Sequence, residues 1–500
     1  MRARELLPLF PWMSVRGELD REISGCASDS RSVAPGDLFI CFKGERSDGH
    51  DYALEALQRG AVAVAGENEL ELPSEVPYFR AADSRTLAGP LASLLYGEPS
   101  KKLRCIGVTG TSGKTTTTYF IREGLRFCGF TAELIGSLNP TPEHPFFTTP
   151  EAPALQKQLS KMAAGGVQMA ILEVSSHAVH FQRIGGVRFA AALLTNLYRD
   201  HLELHGSEEA YAQVKLSFLQ SVGAAGGAVL LNLDFPKSDY FQEGCAGMAR
   251  TFSMERVAER AGSKPALARA ADFPARILEE SATGSLVEIT LPRAMNSPTG
   301  SLVMHVNLPG RVNMANALGA FAVLAVLGMD PVAIVEGISR LREIPGRYSM
   351  SRTARGIQVL IDYAHTPIAL SQMLTFARSQ GERVLLVFGC VGAGDRGKRP
   401  LMGQIAAQGA DRVYLTTDDP RGEDPARITA DAEPGLRSGG KCPGRDYFLI
   451  LDRRQAIAQA FADSREGDLV VIAGRGHETV QRFGNELVHL NDEEEVARWS

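Results

Sequence analysis

The chain has 500 residues, 44% of them apolar, and a formal net charge of −5. That length is too great for one hydrophobic core and divides into several domains. The acidic balance excludes a nucleic-acid binder working by bulk electrostatics, and seven scattered cysteines without a CxxC pair fit a reducing, cytoplasmic compartment.

The opening MRARELLPLFPWM lacks the long apolar segment and small-residue cleavage site of a signal peptide and reads as a first helix. No run is apolar for long enough to predict a membrane-spanning helix. LFICF (38–42) and AVAVAG (61–66) are short strands, the second preceded by helix-like DYALEALQRG, and YGEPS (96–100) is a linker. RCIGVT (104–109) is a buried strand leading into a Gly-rich turn and a helical run. VQMAILEVSS (167–176), AALLTNL (191–197) and GAVLLNLD (227–234) are further strands, and their alternation with helical stretches predicts a mostly parallel α/β sheet. The two alternating runs in 285–310 suit a hairpin, and NMANALGAFAVLAVLG (313–328) is a helix. A new unit opens near 345, where QVLIDYA (358–364), LLVFGC (385–390), VYLTT (413–417) and LVVIAG (469–474) repeat the strand–turn–helix rhythm. The expected domains are 1–98, 99–343 and 344–500.

The sharpest chemical signal is GVTGTSGKTTT (107–117), placed between a strand and a helix. Backbone N–H groups and a helix N-terminus can surround phosphate there. Lys114 would reach the terminal phosphates and Thr115 would offer its hydroxyl to Mg²⁺. Val108 stands where the strict phosphate-loop pattern has glycine, so the loop is a variant. Glu173 closes a strand, where a parallel-sheet enzyme puts its chemistry and a carboxylate can hold Mg²⁺. Asp200, His201 and His205 follow the next strand. Lys215 lies in a mixed helix, and by itself reads as a lysine snorkelling from an apolar face. A phosphate loop alone fits a kinase, a GTPase or a ligase. TTDDPRGEDP (416–425) holds one arginine, Arg421, among four acids, and reads either as a solvated turn or as a recognition loop for a small charged substrate.

Together SDSRSVAPGDLFICFKG, GVTGTSGKTTT, FFTTPEAP, LEVSSHA, TNLYRDHLELHG, LPGRVNMAN, PGRYS, DYAHTP, TTDDPRGEDP and AGRGHE, in that order over about residues 24 to 495, resemble the Mur ligase family. These are ATP-dependent amide-forming enzymes of peptidoglycan precursor synthesis. The resemblance implies an α/β, three-domain architecture: a UDP-MurNAc-binding domain, a central ATP-binding domain of the P-loop type with a mostly parallel sheet, and a Rossmann-like C-terminal domain for the incoming amino acid. It implies ATP contacts from Gly110, Thr111, Ser112, Gly113, Lys114, Thr115, Thr116, Asn316, Arg347, Asp362 and His365. Lys215, carbamylated by CO₂, would join Thr115, Glu173 and His201 around Mg²⁺. The nucleotide-sugar and peptide would meet Ser28, Ser30, Arg31, Gly44, Asp48, Gly49, His50, Thr148, Thr149, Ser175, Gln182 and Arg183.

Within the family the resemblance is to members that extend UDP-MurNAc-L-Ala-D-Glu with meso-diaminopimelate through an acyl phosphate. The acceptor residues would be Asp418, Asp419, Pro420, Arg421, Gly474 and Glu478. Arg421 matches the arginine that pairs with the acceptor's distal carboxylate, a geometry guanidinium suits. The chain departs from the family in three places. Asp419 replaces the usual asparagine and could meet an ammonium group. Gly394 stands where a second acceptor-touching arginine is usual, unless a loop shift brings in Arg396. Arg475 replaces a lysine. Lysine is the alternative acceptor. A folylpolyglutamate-type ligase and a small-molecule kinase are rival activities. The resemblance also implies a cytoplasmic monomer with no nucleic-acid partner and no membrane insertion.

Overall fold

The computed structural model describes residues 1–44, 47–141, 146–254, 271–292 and 300–499. They form sheets of five, nine and six strands and a small hairpin near the C-terminus. The first sheet takes Ser14–Arg16, Gly25–Ala27, Asp37–Ile40, Ala63–Gly66 and Tyr78–Arg80, parallel except at the Ser14–Arg16 edge. The expected opening helix is only a 3-10 turn, Ala3–Leu6. Pro8 and Pro11 follow, and proline inside a helix removes a hydrogen bond and clashes with the preceding turn.

In the nine-stranded sheet Arg104–Thr109 is an interior strand, with Met169–Glu173 on one side and Phe189–Leu194 on the other, all parallel. Side chains alternate across a strand, and the core records it. Ile106 and Val108 pack with the helices Lys114–Phe127 and Arg311–Val326, while Cys105 packs on the opposite face with Ala152–Ala164 and Glu208–Ala224. Helix Arg311–Val326 is buried along nearly its whole length, as its apolar run after Asn316 requires. The expected hairpin is the antiparallel pair Gly284–Thr290 and Ser301–Val306 at the sheet edge; residues 293–299 lie outside the described residues.

The third sheet is parallel through Gln358–Asp362, Leu469–Ala473, Val384–Phe388, Arg412–Leu415 and Tyr447–Leu449, with Ser349–Arg352 antiparallel at one edge. Leu386 and Phe388 join a core with the helices Pro367–Arg378, Lys398–Gly409 and Pro425–Ser438. Leu385 and Val387 face the helix Arg453–Asp463 instead. Helices thus cover both faces, leaving the carboxyl ends of the strands as the place for ligands.

The carboxyl ends of the second and third sheets face each other. Arg347 Nη2 donates to Thr115 Oγ1 at 3.2 Å, Lys398 Nζ meets Asp200 Oδ1 at 3.0 Å, and Arg199 Nε meets Asp395 Oδ2 at 2.9 Å. Among the described residues no helix is long and apolar enough to cross a membrane.

Candidate active site

A cleft of about 660 Å³ lies between these two edges. Its floor is the loop after Arg104–Thr109. Gly113 adopts φ +85° there and a Cβ would run into the Asn316 amide, so the loop closes against helix Arg311–Val326 only because this residue is glycine. Lys114 starts helix Lys114–Phe127, and its Nζ donates to the carbonyls of Gly110 (2.9 Å) and Thr111 (3.0 Å). Burial pushes its pKa down, against the pull of Glu173 and Asp200.

Glu173, 2% exposed, accepts from Thr115 Oγ1 at 2.9 Å and from the Ser137 N–H at 2.9 Å. Ser137 Oγ lies between two acceptors for its single proton, Glu173 Oε2 at 3.3 Å and Thr148 Oγ1 at 3.1 Å. A hydroxyl and a carboxylate of this kind are hard oxygen donors and fit Mg²⁺. His201 lines the same cleft; its ring nitrogens lie 3.5 Å from Asp200 Oδ2 and 3.4 Å from Glu203 Oε1. Asp200 is held well below the usual carboxylate range, because Lys398 and His201 outweigh the effect of burial.

Lys215 is 1% exposed, and its Nζ donates to the Gly110 carbonyl at 3.1 Å. Two ammonium groups, those of Lys114 and Lys215, therefore converge on one carbonyl. Burial first, and Lys114 second, drive the Lys215 pKa far down. The expected snorkelling lysine is instead a fully interior amine.

From the third sheet, Asp362 lines the cleft and accepts from the Tyr348 N–H at 2.9 Å. The Arg347 guanidinium lies 4.4 Å over the Tyr363 ring. His365 also lines the cleft, and its Nδ1 is 2.8 Å from the Tyr363 carbonyl. TTDDP is not a solvated turn: Thr416 through Asp419 are buried at the end of strand Arg412–Leu415. Asp418 Oδ2 is buried without a hydrogen-bond partner and points at Gly474, whose φ of +110° and missing side chain make room for it. Glu478 accepts from the Tyr363 hydroxyl at 2.9 Å. Burial pushes its pKa up to about 7, Arg475 opposing and Asp418 adding to the rise.

The cleft thus gathers the phosphate loop from Thr111 to Thr116, Glu173, His201, Asn316, Arg347, Asp362, His365, Asp418, Asp419, Arg421, Gly474 and Glu478. Thr148, Ser175 and Arg183 line it too. Thr149 lies just beneath, donating to the Glu173 carbonyl at 2.7 Å. Gly110 and Lys215 sit under the loop, and Pro420 is buried beside it. Gln182 is exposed, in a turn with φ +56°. Arg396 is turned away: its side chain is 63% exposed and pairs with Glu423 at 3.1 Å. The expected ammonium partner, Asp419, is already occupied by Arg482, whose N–H donates to Oδ1 at 2.8 Å and whose Nε donates to Oδ2 at 2.9 Å.

The first-sheet residues Ser28, Ser30, Arg31, Gly44, Asp48, Gly49 and His50 form a separate group in the described structure. Asp48 accepts from the His50 N–H, and His50 Nε2 accepts from the Glu67 N–H at 2.8 Å, so this histidine orders its own loop. Arg31 pairs with Asp29. Arg85, which the sequence did not single out, meets Glu151 at 3.4 Å, and Glu151 in turn meets Arg183 at 3.0 Å. Lys398, Ser137 and Arg482 were also missed. Each stands alone in the sequence and acquires its role through a partner far away in the chain.

Three family profiles match the chain: Mur ligase middle domain over 108–324, Mur ligase, glutamate ligase domain over 346–476, and Mur ligase family, catalytic domain over 22–88. The UDP-N-acetylmuramoyl-L-alanyl-D-glutamate--2,6-diaminopimelate ligase of Syntrophomonas wolfei is 36% identical, with 96% of this chain and 95% of the relative aligned. The ligase of the same name from Alkalilimnicola ehrlichii is 38% identical, over 100% of this chain and 98% of the relative. A solved structure of such a diaminopimelate ligase aligns over 100% of this chain and 98% of its own, with TM-score 0.64 and 31% identity. MurF from Acinetobacter baumannii shares the fold, with TM-score 0.68 at 18% identity, over 100% of this chain and 98% of its own.

Proposed function

The chain belongs to the Mur ligase family, and from that premise we infer that it is the ATP-dependent ligase that adds meso-diaminopimelate to the D-glutamate of UDP-N-acetylmuramoyl-L-alanyl-D-glutamate in peptidoglycan synthesis. One observation carries the reading: a phosphate loop and a loop pair bearing both acids and arginines face each other across a single cleft.

Amide formation from a carboxylate needs activation. The γ-phosphoryl group of ATP passes to the dipeptide's free carboxylate, giving an acyl phosphate and ADP. The acceptor amine attacks the acyl carbon, and the tetrahedral intermediate collapses to amide and inorganic phosphate. Lys114 and the loop N–H groups are assigned to the transferring phosphates, where fixed donors act most strongly. Arg347, already on Thr115, brings a positive charge from the third domain. Thr115, Glu173 and His201 would hold Mg²⁺, whose charge would neutralise the phosphate oxygens. Asn316 and Asp362 are assigned to the nucleoside side. The bridges Lys398–Asp200 and Arg199–Asp395 join the two edges of the cleft, and drawing these edges together would keep water from the acyl phosphate.

Lys215 is assigned as a carbamate. An interior amine beside a second ammonium is poorly placed as a cation, and conversion to an anion relieves both burdens. The division at 1–98, 99–343 and 344–500 is assigned to nucleotide-sugar, ATP and amino acid respectively. Ser28, Ser30, Arg31, Gly44, Asp48, Gly49 and His50 serve the uridine diphosphate end, and Arg183 with Arg85 gives the passage toward the cleft a positive lining suited to phosphate. The reading takes the chain as a monomer and as cytoplasmic, the compartment alone being supported by seven free thiols.

Incubation with ATP, Mg²⁺ and UDP-MurNAc-L-Ala-D-Glu, offering diaminopimelate and lysine separately, tests the reading. Phosphate release and product mass should report tripeptide with diaminopimelate. Turnover with lysine alone overturns the acceptor, and turnover with neither overturns the ligase assignment.

A further inference from the structure

The loop Thr416–Arg421 does not stand free. The hairpin of Val480–Phe483 and Glu486–His489 is laid along it. Gln481 Nε2 donates to the Thr417 carbonyl at 3.3 Å, Arg482 holds Asp419 at three atoms, and Phe483 forms a parallel bridge with Arg421. Backbone pairing therefore fixes Arg482 and Arg421 as neighbours on either side of Asp419.

The charges around Asp419 do not cancel. Arg482 pairs with it closely, and Arg421 Nε reaches the same Oδ2 at a looser 3.4 Å. Asp419 is 3% exposed, whereas the side chains of Arg482 and Arg421 are 27% and 41% exposed and both line the cleft. Two guanidinium groups against one buried carboxylate leave one positive charge facing the cavity. Asp418 and Glu478 supply the negative side of the same cavity, Glu478 with Arg475 Nη1 at 3.3 Å from one oxygen. Gly394 adds no charge there and Arg396 is turned to Glu423.

We propose that Arg482 is a specificity-determining residue: with Arg421 it forms a two-arginine clamp for the distal carboxylate of the acceptor, and Asp419 positions the pair instead of binding an ammonium group. The inference rests on the diaminopimelate reading. It assigns the second guanidinium to the hairpin, and it gives Asp419 a role that leaves acceptor ammonium groups to Asp418 and Glu478. A planar donor fork on each side of a carboxylate favours a diamino diacid over a diamine with one carboxylate.

The test compares wild type, Arg482→Gln and the double variant Asp419→Asn with Arg482→Gln in the full chain. The double variant removes the buried carboxylate together with its partner, so a folding defect from unpaired Asp419 does not decide the result. KM and kcat are measured for diaminopimelate, lysine, ATP and the UDP-dipeptide. Both variants should lose roughly 10- to 100-fold in kcat/KM for diaminopimelate, mainly through KM, with KM for ATP and for the dipeptide unchanged. The preference for diaminopimelate over lysine should fall by the same factor. Recovery of diaminopimelate KM in the double variant overturns the clamp, since Arg482 would then only neutralise Asp419. Unchanged preference in both variants overturns it as well. Wild type that does not use diaminopimelate defeats the underlying acceptor reading, a result visible before any variant is made.

Discussion

Glu478 is a carboxyl group whose pKa burial has raised to about 7, with Arg475 pulling it down and Asp418 pushing it up. A raised acid pKa means the neutral form persists at mildly acidic pH and the charge appears only above it. If Glu478 meets an acceptor ammonium, the contact strengthens as pH rises. The acceptor kcat/KM should climb about tenfold between roughly pH 6 and 8, with a shoulder near 7 that Glu478→Gln removes; a shoulder surviving in that variant places the titration elsewhere. Lys215 gives a second test. Mass spectrometry of native protein in bicarbonate should find one added CO₂ on this residue, and Lys215→Ala should lose activity that small carboxylic acids partly restore. An unmodified Lys215 in fully active enzyme excludes the carbamate. Lys114, Glu173 and Arg421 were legible because each belongs to a contiguous motif. Arg482 was not, since nothing near it in sequence reveals that its partner is Asp419, 63 positions away.

Elements were legible where periodicity was strong. LLVFGC and LVVIAG gave strands, because an interior strand is apolar on both faces. The opening segment failed because its composition suited a helix while Pro8 and Pro11 forbade one. The acidic loop at 416–425 left a solvated turn open, because charge density favours exposure; its place after strand Arg412–Leu415 buries the first half. Further along, Arg453 and Asp492 form a wholly buried pair at 2.8 Å, tying helix Asp492–Ala497 to helix Arg453–Asp463. Arg453 also donates to the Ala473 carbonyl at 3.0 Å, immediately before Gly474. Asp492→Asn would leave the guanidinium buried and uncompensated, at a cost of about 3–5 kcal/mol. Urea unfolding monitored by circular dichroism should register that loss, and an unchanged midpoint refutes the structural weight given to the pair.

Across the whole molecule, the cleft depends on contacts that join the second sheet to the third. Lys398 and Asp200 are 198 positions apart, 6% and 3% exposed, and make a 3.0 Å bridge. No short motif contains both, so each half of the site is legible on its own and the clasp between them is not. A double-mutant cycle with Lys398→Met and Asp200→Asn should yield a coupling of about 1–3 kcal/mol in transition-state stabilisation, measured through kcat/KM for ATP. Strictly additive losses would mean that the bridge does not act as a unit.

The hairpin laid along 416–421 has a bearing on how acceptor choice can be exchanged between enzymes. The residues proposed to face the acceptor come from two stretches, 416–421 and 474–483, stitched together by the Arg421–Phe483 bridge and the Asp419–Arg482 pair. A loop transplanted alone would arrive without its backing, leaving Arg482 of the host facing a residue chosen for another neighbour. On that proposal acceptor identity is a two-part cassette, and swaps that move both parts together are the ones expected to carry it across.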